Sequence, residues 1–93
     1  MFIGVLTVEL HIPDSGSLKS KRSVVKGLKD RVRSRFNVSV AEVGGNELWQ
    51  RTTLGIASVS GDKRHAGEVL DNIVDLIRSN TSVELVDYQI EVL

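Results

Sequence analysis

The sequence predicts a small α+β domain with four strands and two helices in the order β-α-β-β-α-β. Two observations support this prediction. Apolar residues alternate in four segments of the 93-residue chain and recur at helical spacing in two others. Two β-α-β units with right-handed crossovers give a four-stranded antiparallel sheet with both helices on one face. This arrangement is a ferredoxin-like sandwich, and a chain this short forms it as a single domain, residues 1–93.

The first half of the chain supplies two strands and the helix between them. Residues 2–12 alternate as a central strand does, and the turn signal at 13–16 closes it. Ser17 is a good N-cap for a helix that runs to about Phe36. Lys21 points into its buried arc, where we expect the ammonium to reach water from the core edge. Residues 37–44 alternate again and form the second strand. The arc itself consists of Leu18, Val25, Leu28, Val32 and Phe36.

The second half repeats this order after a loop. A third strand is predicted over about Arg51–Ser60, with Leu54 and Ile56 on one face. The second helix starts at Gly61-Asp62, runs to about Ser79 and stops at Asn80. Its apolar residues at helical spacing are Ala66, Val69, Leu70, Ile73, Val74 and Ile77. In the last strand, Val83–Val92, alternation predicts Val86, Tyr88, Ile90 and Val92 facing inward, and Asp87, Gln89 and Glu91 facing outward.

Charge is distributed unevenly along a chain whose net charge is zero. Residues 19–35 contain eight basic residues and one acid, a net charge of +7, and the rest of the chain carries −7. On a helical wheel, one stripe beside the buried arc contains Lys19, Arg22, Lys26, Lys29 and Arg33, and the other side carries Arg31 and Arg35. Short side chains and Asp30 lie between these two groups.

We predict that these seven cations bind nucleic acid, because a row of short side chains lets an anionic backbone approach the basic arms. Two alternatives remain open. The cations form a solvated face that is partly neutralised by the acids of the second helix, Glu68, Asp71 and Asp75. Otherwise they contact a protein, either an acidic partner or another copy of the chain.

The predicted open face of the sheet carries no aromatic residue on its two central strands. The residues there are Ile3, Val5, Thr7, Thr53, Gly55, Ala57 and Val59. Base stacking on the sheet, as in an RRM, is therefore not expected. This surface suits a homodimer through the open sheet face or cover by another protein. Isolated exposed apolar residues are also common on proteins that have no partner there.

Trp49 is the only tryptophan and is predicted at the end of the second hairpin. An indole at a loop more often seals a core edge or an oligomer contact than stacks on a base, and both roles remain open. Arg51 next to it has two open roles, binding a phosphate or stacking on the indole.

Several classes of chemistry have no support in the sequence. There is no cysteine, and His11 and His65 are isolated, so we predict no metal site, no cofactor and no catalytic residue. Glu42 alternates with Val38 and Val40, so either burial raises its pKa or it is a paired or edge carboxylate. A hydrolase would need a pocket that joins Glu42, His11 and Arg51. We also expect a cytoplasmic protein with neither a signal peptide nor a membrane span.

Four motifs together resemble one known family. They are SLKSKR at residues 17–22, FNVSVAEV at 36–43, LWQR at 48–51 and LGIA at 54–57. The chain is similar to the YlxP-like family, a small bacterial domain of unknown function. Ser20 departs from the acidic residue expected there in many relatives, which leaves the capping box with Ser17 incomplete.

The resemblance implies a ferredoxin-like fold and supplies no catalytic residues to carry over to this chain. It also implies a link to RNA, because the genes of this family often lie near those of translation and ribosome-maturation factors. We therefore expect a non-enzymatic RNA- or ribosome-associated domain that uses its basic first helix. The alternative is a small dimeric module for protein interaction or regulation that has no nucleic-acid role.

Overall fold

The computed structural model describes all 93 residues and confirms the predicted order of elements. The elements are β1 (Phe2–His11), α1 (Leu18–Arg35), β2 (Ser39–Gly44), β3 (Arg51–Ser60), α2 (Lys63–Ser79) and β4 (Glu84–Val92). Caps form where the sequence predicts them: Ser17 begins α1, Asp62 begins α2 and Asn80 ends α2.

The four strands form one antiparallel sheet in the order β2-β3-β1-β4. Both helices cover the same face, so the fold is a ferredoxin-like α+β sandwich. The core lies between this face and the helices. Leu6, Val8 and Leu10 of the central strand β1 are completely buried there.

The predicted buried stripes of both helices are confirmed at their centres. In α1, Val25, Leu28 and Val32 are buried, whereas Leu18 and Phe36 at the two ends are only half-buried. The buried residues of α2 are Ala66, Leu70, Ile73, Val74, Leu76 and Ile77. Neither helix combines the length and apolar composition that crossing a membrane requires.

The prediction for β4 is wrong at Val86, because the strand contains a bulge. Glu9 pairs with Asp87, but the next residue of β1, Leu10, pairs with Leu85, so Val86 is the extra residue. Leu85 consequently packs against the core, and Val86 is 51% exposed. A two-residue period cannot reveal an inserted residue, and it therefore assigns the wrong face beyond the bulge.

The remaining predicted inward residues of β4 lie on the helix side of the sheet. Tyr88, Ile90 and Val92 stand opposite Val8, Leu6 and Gly4 of β1, respectively. Tyr88 is still partly exposed, and the guanidinium of Arg78 lies 5.4 Å from the centre of its ring. This contact ties the end of α2 to the edge of the sheet.

The open face of the sheet divides into an apolar part and an acidic part. Val5, Ala41, Val43, Gly55 and Ala57 line a shallow depression of about 250 Å³ over β1, β2 and β3. At the β4 edge the exposed residues include Asp87, Gln89 and Glu91. The two sides of the sheet therefore differ in kind: one is a sealed core and the other is an unpartnered surface.

Candidate nucleic-acid interface

Helix α1 carries all seven predicted cations away from the core. Six of them are exposed and Lys29 is half-buried. Arg33 and Arg35 in the last turn interact favourably with the helix dipole. The first turn contains no acid, and Lys19 lies close to the positive end of the dipole. Helix stability alone therefore does not explain the charge pattern of α1.

Asp30, the only acid of α1, is held by two of these cations. Its carboxylate lies 2.8 Å from the ammonium of Lys26 and 3.7 Å from the guanidinium of Arg33. The hydrogen bond from Lys26, with further attraction from the Arg33 and Lys29 charges, lowers the pKa of Asp30 below its ordinary value. Arg33 also donates to the carbonyl oxygen of Val40 in the edge strand β2, at 2.8 Å.

The other five cations form no ion pair or side-chain hydrogen bond within the chain. They are Lys19, Arg22, Lys29, Arg31 and Arg35. The acids of α2 do not neutralise them: Glu68 pairs with Arg64 of its own helix, at 3.0 Å, and no ion pair joins α1 to α2. The expectation that the neighbouring helix partly satisfies this face is therefore wrong.

A shallow groove of about 220 Å³ runs beside Arg31, between α1 and the segment that follows α2. Its lining consists of Ser23, Val24, Gly27 and Leu28 on α1 and of Asn80 and Ser82 after α2. The groove therefore leaves open space beside Arg31.

Lys21 differs from every other cation of the helix, because it is completely buried. Its ammonium donates to the Glu42 carboxylate at 2.6 Å, to the Gly45 carbonyl at 2.8 Å and to the Asn46 carbonyl at 3.4 Å. The prediction that this ammonium reaches water is wrong. Three oxygen acceptors replace water around it, as a buried charge requires.

Glu42 is the only charged partner of Lys21, and its side chain is 16% exposed. Burial opposes its ionisation, but hydrogen bonds from Lys21 and from the Thr52 hydroxyl, with the Lys21 charge, lower its pKa overall. Of the interpretations left open, the paired carboxylate on an edge strand is confirmed and the raised pKa is wrong. The carboxylate is a structural group that faces α1.

Trp49 lies in the connection between β2 and β3, and its side chain is 56% exposed. It therefore does not seal the core of a single chain. Arg51 starts β3 opposite His11, and the only cation–π contact in the structure joins Arg78 to Tyr88. The proposed stacking of Arg51 on the indole is wrong, and a role in phosphate binding remains a prediction.

The side chains that a hydrolase would need lie apart. Glu42 faces α1 beneath the sheet, whereas His11 lies on the open face and contacts Glu84 at 3.2 Å. No group of three His, Asp or Glu side chains comes together in an arrangement that holds a metal ion.

At the start of α1, the Ser15 hydroxyl donates to the Ser17 carbonyl, and the Ser17 hydroxyl accepts from the Ser20 amide.

Two features of this region were not predicted from the sequence. The first is the ion pair between Lys21 and Glu42. The periodicity indicates the burial of Lys21 and the position of Glu42, and their opposite charges were the signal that could have joined them. The tether formed by Gln50 had no signal at all. Its amide nitrogen donates to the carbonyls of Pro13 and Ser15, at 3.3 and 3.2 Å, 37 and 35 residues away along the chain.

The buried pair predicts an unequal response to loss of either partner. Glu42→Gln leaves a completely buried ammonium without its carboxylate, and we expect it to lower the free energy of unfolding by about 3 kcal/mol. Lys21→Met removes the charge itself and leaves Glu42 with Thr52 and some solvent, so we expect about 1–2 kcal/mol. Urea denaturation at neutral pH measures both values.

The pH dependence provides the control for this prediction. Because folding lowers the pKa of Glu42, its contribution to stability is complete above its ordinary pKa of 4.5 and is lost as the pH falls through the folded-state value. The difference in stability between the natural chain and Glu42→Gln should therefore narrow in acid. A difference that stays constant down to the acid transition would contradict a stabilising ionised pair.

Comparisons with known proteins identify a family, a relative and a solved structure of similar fold. The family model described as "Protein of unknown function (DUF503)" matches residues 3–90. The chain is 42% identical over 82 residues to the uncharacterized protein YlxP of Bacillus subtilis (strain 168), covering 88% of this chain and 89% of that protein. Among solved structures, the de novo designed protein Foldit4 is similar in fold, with a TM-score of 0.55 and 14% identity over all of this chain and 97% of that one. The matched length and the identity to YlxP show that the chain belongs to the DUF503 family of YlxP-like proteins.

Proposed function

We propose that this protein binds RNA, free or within a ribosome, through the cations of α1. The observation that supports this most directly is that five of the seven cations have no partner within the chain. Unpaired cations attract a polyanion, and neutralising its phosphates releases the counterions condensed on it. The proposal assigns the protein no catalytic step and places it in the cytoplasm with the ribosomes.

The dimensions of α1 support an extended ligand. Lys19 and Arg33 are 14 residues apart, so the stripe is about 21 Å long at 1.5 Å per residue. Asp30 lies beside this stripe, but Lys26 and Arg33 already bind its carboxylate. The net charge of the solvent-facing side therefore stays positive along its whole length.

A second copy of the chain is the proposed occupant of the open sheet face. The four strands contain 10, 10, 9 and 6 residues, which corresponds to about 550 Å² of sheet per copy and about 1,100 Å² for a pair. Specific interfaces begin near this size, so we expect a dimer that dissociates on dilution. The acidic β4 edge would lie at the solvated rim.

The second candidate function is a dimeric protein-interaction module with no nucleic-acid role. The apolar depression over β1, β2 and β3 favours this function, because an exposed apolar surface is typical of a protein contact. The two functions differ in what α1 does. In the interaction module the cations of α1 contact acidic protein surfaces or solvent.

Charge reversal on α1 tests RNA binding. Arg22→Glu with Arg31→Glu changes two cations that have no partner in the chain, and we expect RNA affinity at moderate salt to fall about tenfold or more. Lys63→Glu with Arg64→Glu on α2 is the matched control, since it changes the net charge equally. Filter binding across a salt titration measures both, and about five phosphate contacts predict a slope of about −3.5 for a single strand.

Equal loss of affinity in both double variants would show that net charge alone attracts RNA and would remove α1 as the site. Absence of RNA binding by the natural chain at low salt would favour the protein-interaction module. Circular dichroism of each variant confirms that the helices remain folded.

A charge placed on the open sheet face tests the second copy. Ala57→Glu puts a carboxylate into the apolar depression, and we expect it to keep the chain monomeric at concentrations where the natural chain dimerises. Asn72→Glu on the exposed side of α2 is the control and should dimerise normally. Sedimentation velocity over a range of concentrations measures the mass. A natural chain that stays monomeric throughout would contradict the proposed dimer.

A further inference from the structure

The segment Gly45–Gln50, which we call the Trp49 loop, is held at its first two residues by α1. The Lys21 ammonium binds the carbonyl oxygens of Gly45 and Asn46, at 2.8 and 3.4 Å. The Leu48 amide closes a turn onto the Gly45 carbonyl at 3.0 Å. Gly45 has a φ of 71°, which a residue with a side chain rarely adopts, so this turn requires a glycine.

The other end of the Trp49 loop is held by the segment between β1 and α1. The Gln50 side-chain amide donates to the Pro13 and Ser15 carbonyls, and the Gln50 carbonyl accepts from the Ile12 amide at 2.9 Å. Ser15 is itself buried. The loop therefore has fixed points on both sides of Trp49, and a loop held in this way loses little conformational entropy when it binds a ligand.

Within this fixed backbone, two large apolar side chains remain in water. Leu48 is 53% exposed and Trp49 is 56% exposed. No cation lies over the indole, whereas the ring of Tyr88 has the Arg78 guanidinium at 5.4 Å. A rigid loop that presents a free indole is a pre-formed platform for a flat ligand.

The Trp49 loop also adjoins the first turns of α1. Lys21, which binds the loop, faces the core from these turns, and the same turns carry Lys19 and Arg22 on their exposed side. Trp49 follows Asn46 by three residues, so its backbone lies within about 11 Å of that anchoring carbonyl. The loop that carries Trp49 therefore lies beside the first turns of α1.

We propose that the Trp49 loop and the first turns of α1 form one surface that binds a single-stranded segment of RNA, with a base stacked on Trp49 and the adjoining phosphates on Lys19 and Arg22. The inference rests on the proposed RNA binding and specifies the form of RNA. Bases inside a duplex are stacked on one another and do not present a free face, whereas unpaired bases stack on aromatic side chains without regard to sequence. Phosphates alone would not distinguish the two forms.

The single tryptophan makes the test direct, because all tryptophan fluorescence comes from Trp49. The probes are one short single-stranded RNA and its duplex with the complementary strand. We expect the single strand to quench the fluorescence of the natural chain. We also expect Trp49→Ala to bind the single strand about 5- to 150-fold more weakly than the natural chain does. Trp49→Phe should recover most of that loss, and the duplex should bind the natural chain and Trp49→Ala alike.

Leu48→Ala is the matched control, since it removes an equally exposed apolar side chain of the same loop that has no π face. It should leave the affinity for the single strand unchanged. Unchanged fluorescence at saturating single-stranded RNA would overturn the stacking and leave RNA binding by α1 intact. No binding of either RNA by the natural chain would overturn the proposed function itself.

One further outcome identifies a protein contact instead of a base. If Trp49→Ala alters the mass measured by sedimentation and leaves the affinity for the single strand unchanged, the indole belongs to an interface between copies and the inference is overturned. Trp49 is exposed and outside the core, so its variants should fold normally. That expectation is checked by circular dichroism before any binding is measured.

Discussion

The buried ammonium of Lys21 is the contact on which the arrangement of this surface depends. It reaches from the first turns of α1 to the side chain of Glu42 on β2 and to two backbone carbonyls of the Trp49 loop. A charge without access to water is costly unless every donor finds an acceptor. A shift of α1, β2 or the Trp49 loop would leave the Lys21 ammonium without an acceptor, so these three segments have few alternative positions. The position of the basic helix and the course of the loop are therefore set together. Hydrophobic packing of Val25, Leu28 and Val32 places α1 on the sheet but does not fix the loop.

The sandwich keeps its two unpartnered surfaces on opposite sides. The cations lie on α1 above the helix-covered face, and the apolar depression lies on the open face. A second copy on the open face would leave both basic helices outward, separated by the two sheets. Each copy would then offer its own cations and its own Trp49, and binding of both to one RNA would strengthen attachment without any new contact. The proposed dimer and the proposed RNA binding are thus compatible.

Local periodicity was sufficient to predict the elements, the fold and the cationic face, because each depends on residues close in sequence. The errors have a common cause in contacts across the fold. The bulge at Val86 depends on the register between β1 and β4, which a two-residue period does not contain. For Lys21, the periodicity showed burial, but its partner lies 21 residues further on. The pKa of Glu42 is lowered by its hydrogen bonds with Lys21 and with Thr52, which alternation within one strand does not indicate. The tether of the loop by Gln50 depends on backbone carbonyls, which every residue carries.

Backbone and indole amide signals, followed by NMR while a short single-stranded RNA is added, test the central claim that α1 and the Trp49 loop form one RNA-binding surface. The account predicts that the amides of α1 and the indole N–H of Trp49 shift together and saturate at the same RNA concentration. The amide signals of the open face, such as those of Val5 and Ala57, should keep their chemical shifts at a protein concentration where the association state does not change. Shifts centred on the open face, with α1 and the indole unaffected, would contradict the account.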